Sequence, residues 1–312
     1  MSCLFSRIAI VGAGAIGTYY GVRLGRAGAD VRFLLRSDLD AVRRRGAMAI
    51  HENGATLELR TPAVFVRTEE IGAVDLVIVT LKTTANDRLA QLLPPLIGPD
   101  TVVLTLQNGL GSDELIASLV GAERVLGGLA FIASTRTAPG EVTCYHPGSI
   151  TLGEFSGAPR ERTRMLAAQF SAAGVTIKLA DNLLAARWHK LVWNVPFNGL
   201  AVAAGGITTD RICADPRLAA RVRALMREVQ HAAAAFGITI ADEFLQQQFD
   251  VTPPMDAYRP SSLVDFLAGR EVEIEAIWGE PLRRAQAAGA DVPELAKLYD
   301  ELRTVPRRSS AN

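Results

Sequence analysis

The sequence predicts an α/β chain of two domains, an N-terminal Rossmann-type dinucleotide-binding domain over residues 1–180 followed by an all-helical C-terminal domain over residues 181–312. Three observations carry this. An apolar strand runs directly into Gly12-x-Gly14-x-x-Gly17 and then into a helical segment. Two further apolar runs, DLVIVTLK from Asp75 and TVVLTLQNG from Thr101, do not alternate, as expected of parallel strands buried on both faces. Beyond Asp181 strand signals vanish and alanine-rich segments with helical periodicity take over.

Composition narrows the classes. At 312 residues, 49% of them hydrophobic, the chain can bury one large core or two ordinary ones. Lysine plus arginine and aspartate plus glutamate are equal at 33 each, so no net basic field draws it to nucleic acid or anionic lipid. The opening MSCLFSR is too short for a signal peptide, and the apolar stretches are too short or too broken to cross a bilayer, so a soluble, cytoplasmic protein is expected. Cys3, Cys144 and Cys213 lie far apart without CxxC spacing, and four scattered histidines form no cluster, so neither disulfides nor a metal site is expected.

The elements follow in order. Residues 7–17, RIAIVGAGAIG, read as strand and glycine turn, with Ala13, Ala15 and Ile16 filling the turn; TYYGVRLGRAG reads as helix and DVRFLLR as the second strand. In such a turn the first glycine permits the tight bend, the second lets backbone approach a pyrophosphate, and the third lets helix pack on strand, with the anion at the helix N-terminus. The second strand ends at Arg36, about 20 residues beyond the fingerprint, where NAD-specific sites place an acidic residue on the ribose. Arginine there favours a 2′-phosphate and hence NADPH; Asp38, two positions on, is the alternative that would serve a ribose hydroxyl.

A strand pair is expected in MAIHENGATLELRTPAV, and a helical segment between the runs that start at Asp75 and Thr101. Ligands of open parallel sheets gather at the carboxyl ends of the strands, which is where Lys82-Thr83 and Gln107-Asn108-Gly109 fall. From Gly127 to Phe155, short β-like pieces broken by Pro139-Gly140 and Pro147-Gly148 predict hairpins that continue the sheet. A helix near 160–173 and the strand VTIKLA complete this half, and Lys82 and Asn108 are assigned to it.

Helices are expected over 181–204, 214–236 and, with interruptions, 273–304, and the tail PRRSSAN is expected to be disordered. In the first helix Lys190, Asn194 and Asn198 are spaced four apart and share a face amid Leu191, Val192, Trp193, Val195 and Phe197. Buried amides and ammonium groups are costly without partners. Taken singly, an asparagine could cap or staple a helix pair and Lys190 could extend to water. Three in one stripe favour a ligand-binding face, with Pro196 expected to kink the axis.

These residues resemble the ketopantoate reductase family, essentially end to end: GAGAIG from Gly12, LLR ending at Arg36, TLK ending at Lys82, QNG around Asn108, HPG and GE after His146, the Lys190, Asn194 and Asn198 triplet, and RPSSLVDFLAGREVEIEAIWG from Arg259. The resemblance implies an NADPH-dependent reductase of a branched 2-keto acid, 2-dehydropantoate giving pantoate in pantothenate biosynthesis. It implies Lys190 as general acid, Glu273 as a second essential group, Asn108 beside cofactor and substrate, and Ser261 as a ligand of the substrate carboxylate. Asn194 and Asn198 join the substrate set, and Gly12–Gly17, Arg36, Lys82 and Asn108 the cofactor set. Tyr258 departs from an asparagine that some members carry three residues before the serine.

The chemistry agrees: hydride arriving at a 2-keto carbon puts negative charge on oxygen, which a positioned proton donor relieves, and an apolar surround lowers a lysine pKa toward neutrality. The expected partner is a small-molecule 2-keto acid, with no nucleic acid or membrane and a homodimer as the possible assembly. Two alternatives stand beside this reading: a related 2-keto or β-hydroxy acid dehydrogenase with a different substrate, and a non-catalytic NADPH-sensing regulatory protein.

Overall fold

Ile8 and Ile10 of strand β1 (Arg7–Val11) belong to one hydrophobic core and Ala9 and Val11 to another, and all four are fully buried. A strand sends successive side chains to opposite faces, so an unbroken apolar run requires a covering layer on each side. In the computed structural model, which describes residues 5–306, the same logic builds the first half of the chain. Cys3 and the tail beyond residue 306 lie outside the described residues.

The further strands are β2 (Asp30–Leu34), β3 (Ala47–Glu52), β4 (Ala55–Arg60), β5 (Ala63–Phe65), β6 (Val74–Val79), β7 (Ile97–Thr105), β8 (Val125–Ala138), β9 (Glu141–Glu154) and β10 (Thr176–Leu179). They form one sheet in the order β4-β3-β9-β8-β7-β6-β1-β2-β5, with β10 on β9. From β5 through β8 all neighbours are parallel. The β8–β9 and β3–β4 pairs are antiparallel. Helix Ala15–Arg26 lays Tyr19, Tyr20, Val22 and Leu24 in the core of Ile8, Ile10 and Phe33. The other core gathers Val77 and Val79 with Leu89, Leu93, Leu96 and Ile116. Each such side chain stabilises by roughly 1.5–3 kcal/mol when buried, and a one-residue slip would exchange the faces, so burial fixes the register.

The expected series of short hairpins is instead one long one. β8 and β9 are 14 residues each and turn at Pro139-Gly140, while Pro147-Gly148 lies inside β9. The register there shifts between Phe131 and Ala133. Proline cannot donate to the ladder, and Gly148 has φ 57° with Phe131 O only 1.5 Å from where a Cβ would stand, so the second Pro-Gly makes a bulge and not a turn.

The chain divides into two compact units, one of residues up to Gln107 and Ser112–Leu183, the other of Asn108–Gly111 and residues from Leu184 on. Asn108, assigned to the nucleotide half on sequence order, thus groups with the helical unit. Leu110 N donates to Ala276 O at 2.9 Å, and the Leu110 side chain joins the helical core. That core is built on helix Leu183–Ala203, which runs unbroken through Pro196, with helices Pro216–Ala234, Glu280–Ala287 and Pro293–Thr304. Helices Asp242–Asp250 and Ser261–Leu267 fill a stretch that sequence analysis leaves unassigned.

Candidate active site

In the sheet unit, Gly12 follows β1, Arg36 follows β2, Lys82 follows β6 and Gln107 follows β7. Because these four strands run parallel, all four residues come to the same edge of the sheet. The three glycines differ in kind. Gly12 has φ 105°, and a Cβ there would stand 2.5 Å from Leu81 N. At Gly17 it would stand 2.4 Å from Gly12 O. At Gly14 it would meet nothing within 4 Å, so the missing side chain leaves open space at the head of helix Ala15–Arg26. That helix start has no side-chain cap and no acidic residue in its first turn, which leaves it receptive to an anion. Ala13, Ala15 and Ile16 complete the turn, and the Thr80 hydroxyl, not singled out from sequence, ties it down by donating to Gly12 O at 2.6 Å.

Arg36 and Lys82 are exposed at this edge. Gln107 is turned inward: its amide donates to Leu81 O at 2.9 Å and to Asn86 Oδ1 at 2.7 Å, bracing the loop that carries Lys82. Asp38 is 5% exposed and accepts from Arg136 at 2.7 Å and from Gly140 N at 3.1 Å. Its carboxylate is spent on protein donors, which weakens the case for it as a ribose ligand.

The helical unit gathers the other predicted residues. Lys190 Nζ donates to Asn108 Oδ1 at 2.9 Å. Glu273, 4% exposed, lies two residues before a single-turn π-helix, Glu275–Gly279. Two bonds hold that turn in place: Trp278 Nε1 donates to Val195 O at 2.9 Å, and Ala276 O accepts from Leu110 N. The first ties it to the lysine's helix and the second to the Asn108 turn. Arg187, also 4% exposed, precedes Lys190 by three residues, one helical turn. Sequence reasoning passed over it, although its spacing from Lys190 was the available signal.

Burial draws the Lys190 ammonium down to about 7, with the Arg187 guanidinium adding to the shift and the Glu273 carboxylate opposing it. A lysine so poised can give up a proton near neutral pH, which an ordinary lysine does poorly.

The two asparagines of the stripe diverge. Asn198 Oδ1 accepts from Ser262 N at 2.9 Å and from the Ser261 hydroxyl at 3.4 Å, so it anchors the start of helix Ser261–Leu267. Asn194 is 8% exposed and its side chain makes no hydrogen bond among the described residues, leaving its amide open to a ligand. Ser261 is exposed and Ser262 buried. The Tyr258 ring lies 6.2 Å from that of Trp193, which stacks on Phe197 at 5.1 Å. Among the described residues no group of His, Cys, Asp and Glu could hold a metal ion, and no helix is long and apolar enough to cross a membrane. Cys144 and Cys213 are unpaired thiols.

Comparison with known proteins places these features in context. Residues 8–157 match the family model described as ketopantoate reductase PanE/ApbA, and residues 182–305 match its C-terminal counterpart. A 2-dehydropantoate 2-reductase of Nostoc sp. is 38% identical over 310 residues, 97% of this chain and 96% of the relative. A crystal structure of 2-dehydropantoate 2-reductase from Geobacter metallireducens superposes with a TM-score of 0.93 at 42% identity, covering 96% of this chain and all of the other. The enzyme of the same description from Methylococcus capsulatus gives 0.88 at 32% identity, with 98% of each chain covered.

Proposed function

The chain belongs to the ketopantoate reductase family and is therefore an oxidoreductase, and from that premise we propose that it reduces 2-dehydropantoate to pantoate with NADPH. The observation that carries the reading is the Lys190–Asn108 hydrogen bond, with the lysine held near pKa 7 between Arg187 and Glu273.

A bound nicotinamide dinucleotide supplies the hydride. The Gly12–Gly17 turn fits the pyrophosphate of such a cofactor through the open space at Gly14 and the uncapped helix start behind it. Arg36, free of protein carboxylates among the described residues, suits a 2′-phosphate, and Lys82 is the second cation at the same edge of the sheet. On the chain's side of the reaction, Lys190 gives its proton to the carbonyl oxygen as charge develops there. Asn108 aims the ammonium. Glu273 favours the protonated form of the lysine. The open amide of Asn194 and the Ser261 hydroxyl are the groups for the 2-keto acid, and Asn198 acts chiefly by holding Ser261 in place.

A second reading, a different 2-keto acid, is favoured at one point, the partly exposed Tyr258 ring beside that of Trp193. NADPH oxidation measured against a panel of 2-keto acids separates the two. The expected outcome is the highest kcat/KM with 2-dehydropantoate. An aryl or alkyl 2-keto acid preferred by tenfold supports the second reading, and cofactor binding without turnover of any acid supports a sensor.

A further inference from the structure

Arg36 and Asp38 stand two residues apart after β2, and the fold treats them in opposite ways. Arg36 is exposed and makes no hydrogen bond or ion pair among the described residues. Asp38 is buried, with Oδ1 taken by Arg136 Nη2 at 2.7 Å and by the Ser37 hydroxyl at 3.0 Å, and Oδ2 by Gly140 N at 3.1 Å. Arg136 comes from the far end of β8, and its side chain keeps 45% of its surface exposed. Only Nη2 is given to Asp38. A guanidinium presents five donors in a rigid fork, so the rest of the group remains able to meet an anion.

Position and charge both bear on what that anion is. Residues two apart have Cα atoms within about 7 Å of each other, so the Asp38 pairing brings a second guanidinium into the neighbourhood that the Arg36 side chain sweeps. Two guanidinium groups against one carboxylate leave net positive charge at the end of β2. A phosphate dianion is attracted by such a surface, whereas a ribose hydroxyl would need a carboxylate acceptor, and the one at hand is buried under protein donors.

Resting on the NADPH reading above, we propose that Arg136 is a second ligand of the cofactor's 2′-phosphate, carried on the β8–β9 hairpin and held toward Arg36 by Asp38. Discrimination between NADPH and NADH then rests on two arginines from distant parts of the sequence. Arg36 is the constant partner at the strand end, and Arg136 is the one whose position depends on the hairpin.

The test is equilibrium binding of NADPH and of NADH, followed by nucleotide fluorescence, to the wild-type chain and to Arg36→Ala, Arg136→Met and Arg136→Lys. Loss of one charge-assisted contact should weaken NADPH by about 10- to 100-fold in Arg36→Ala and in Arg136→Met, with NADH changed by less than about twofold. Arg136→Lys keeps the ion pair with Asp38, and with it the hairpin, and should lose less NADPH affinity than Arg136→Met. The proposal is overturned if Arg136→Met and Arg136→Lys bind NADPH like wild type, or if both nucleotides weaken in parallel, which would make Arg136 a brace for the hairpin. If the wild-type chain binds the two nucleotides equally and Arg36→Ala changes neither, the NADPH reading itself fails and takes this inference with it.

Discussion

Lys190 and Asn108 lie 82 residues apart in sequence, yet the ammonium of one donates a 2.9 Å hydrogen bond to the side-chain carbonyl of the other. The acceptor is a neutral amide. It fixes the direction of the ammonium, and a neutral acceptor holds the proton less tightly than a charged one does. The Glu273 carboxylate works against both burial and Arg187, and the balance lies near pKa 7.

That balance sets a pH dependence with a definite sign. Reduction needs the protonated lysine, so kcat/KM for the keto acid should fall about tenfold per pH unit above about 7, while oxidation of the hydroxy acid, which needs the neutral amine, should rise through the same range. Lys190→Ala should lose roughly 100- to 10,000-fold in kcat with NADPH affinity near wild type. Steady-state rates from pH 5.5 to about 9.5, with fluorescence titration of the nucleotide, check both. A wild-type profile flat across neutrality would remove Lys190 as the proton donor.

The neighbours of Lys190 should move that profile in a common direction. Arg187→Met removes a like charge, and Asn108→Asp adds an opposite one, so each favours the ammonium and should carry the falling limb to higher pH. Arg187→Lys should leave the limb near its wild-type position. If Arg187→Met lowers only the melting temperature and leaves the limb in place, the arginine is a packing residue.

Much of this was legible in the sequence because it rests on local periodicity. The glycine turn declares itself by following an apolar strand, and Lys190, Asn194 and Asn198 by their spacing on one helix. What was not legible depends on distant partners. The turn at Asn108 looks like the end of a sheet strand until the Ala276 carbonyl is seen holding Leu110 N. Arg187 reads as an ordinary surface arginine until packing buries it, and Asp38 as a ribose ligand until Arg136, 98 residues later, pairs with it. Pro147-Gly148 carries the signature of a turn, and only its pairing across from Phe131 makes it a bulge.

Gly12 and Gly14 should fail differently when changed to alanine. At Gly12 the positive φ and the approach of Leu81 N leave no room, so Gly12→Ala should destabilise the fold by at least about 1–3 kcal/mol. Gly14 has φ −76°, and its added methyl would meet no protein atom, so Gly14→Ala should melt close to wild type. Its methyl would instead fill the space a pyrophosphate approaches, weakening NADPH by at least about tenfold. Thermal melting and nucleotide titration on the two variants distinguish a folding glycine from a binding one; equal loss of stability in both would argue against the open space at Gly14 being a ligand seat.

Asn194 and Asn198 occupy equivalent places in the sequence pattern, but their hydrogen bonds assign them different work. Asn198→Ala strips the acceptor from Ser262 N and from the Ser261 hydroxyl, and a buried donor left unsatisfied costs about 1–3 kcal/mol, so this variant should lose stability first and substrate affinity as a consequence. Asn194 gives up no protein hydrogen bond when truncated, so Asn194→Ala should keep its melting temperature. If its amide meets the keto acid, KM should rise by about 10-fold or more, the loss of one hydrogen bond to a charged group, while NADPH affinity is unchanged. Melting curves set beside KM for the two variants give the answer, because the two roles predict opposite orders of damage. Should Asn194→Ala melt early with KM unaltered, its amide serves the helix packing, and the ligand face narrows to Lys190, Asn108 and Ser261.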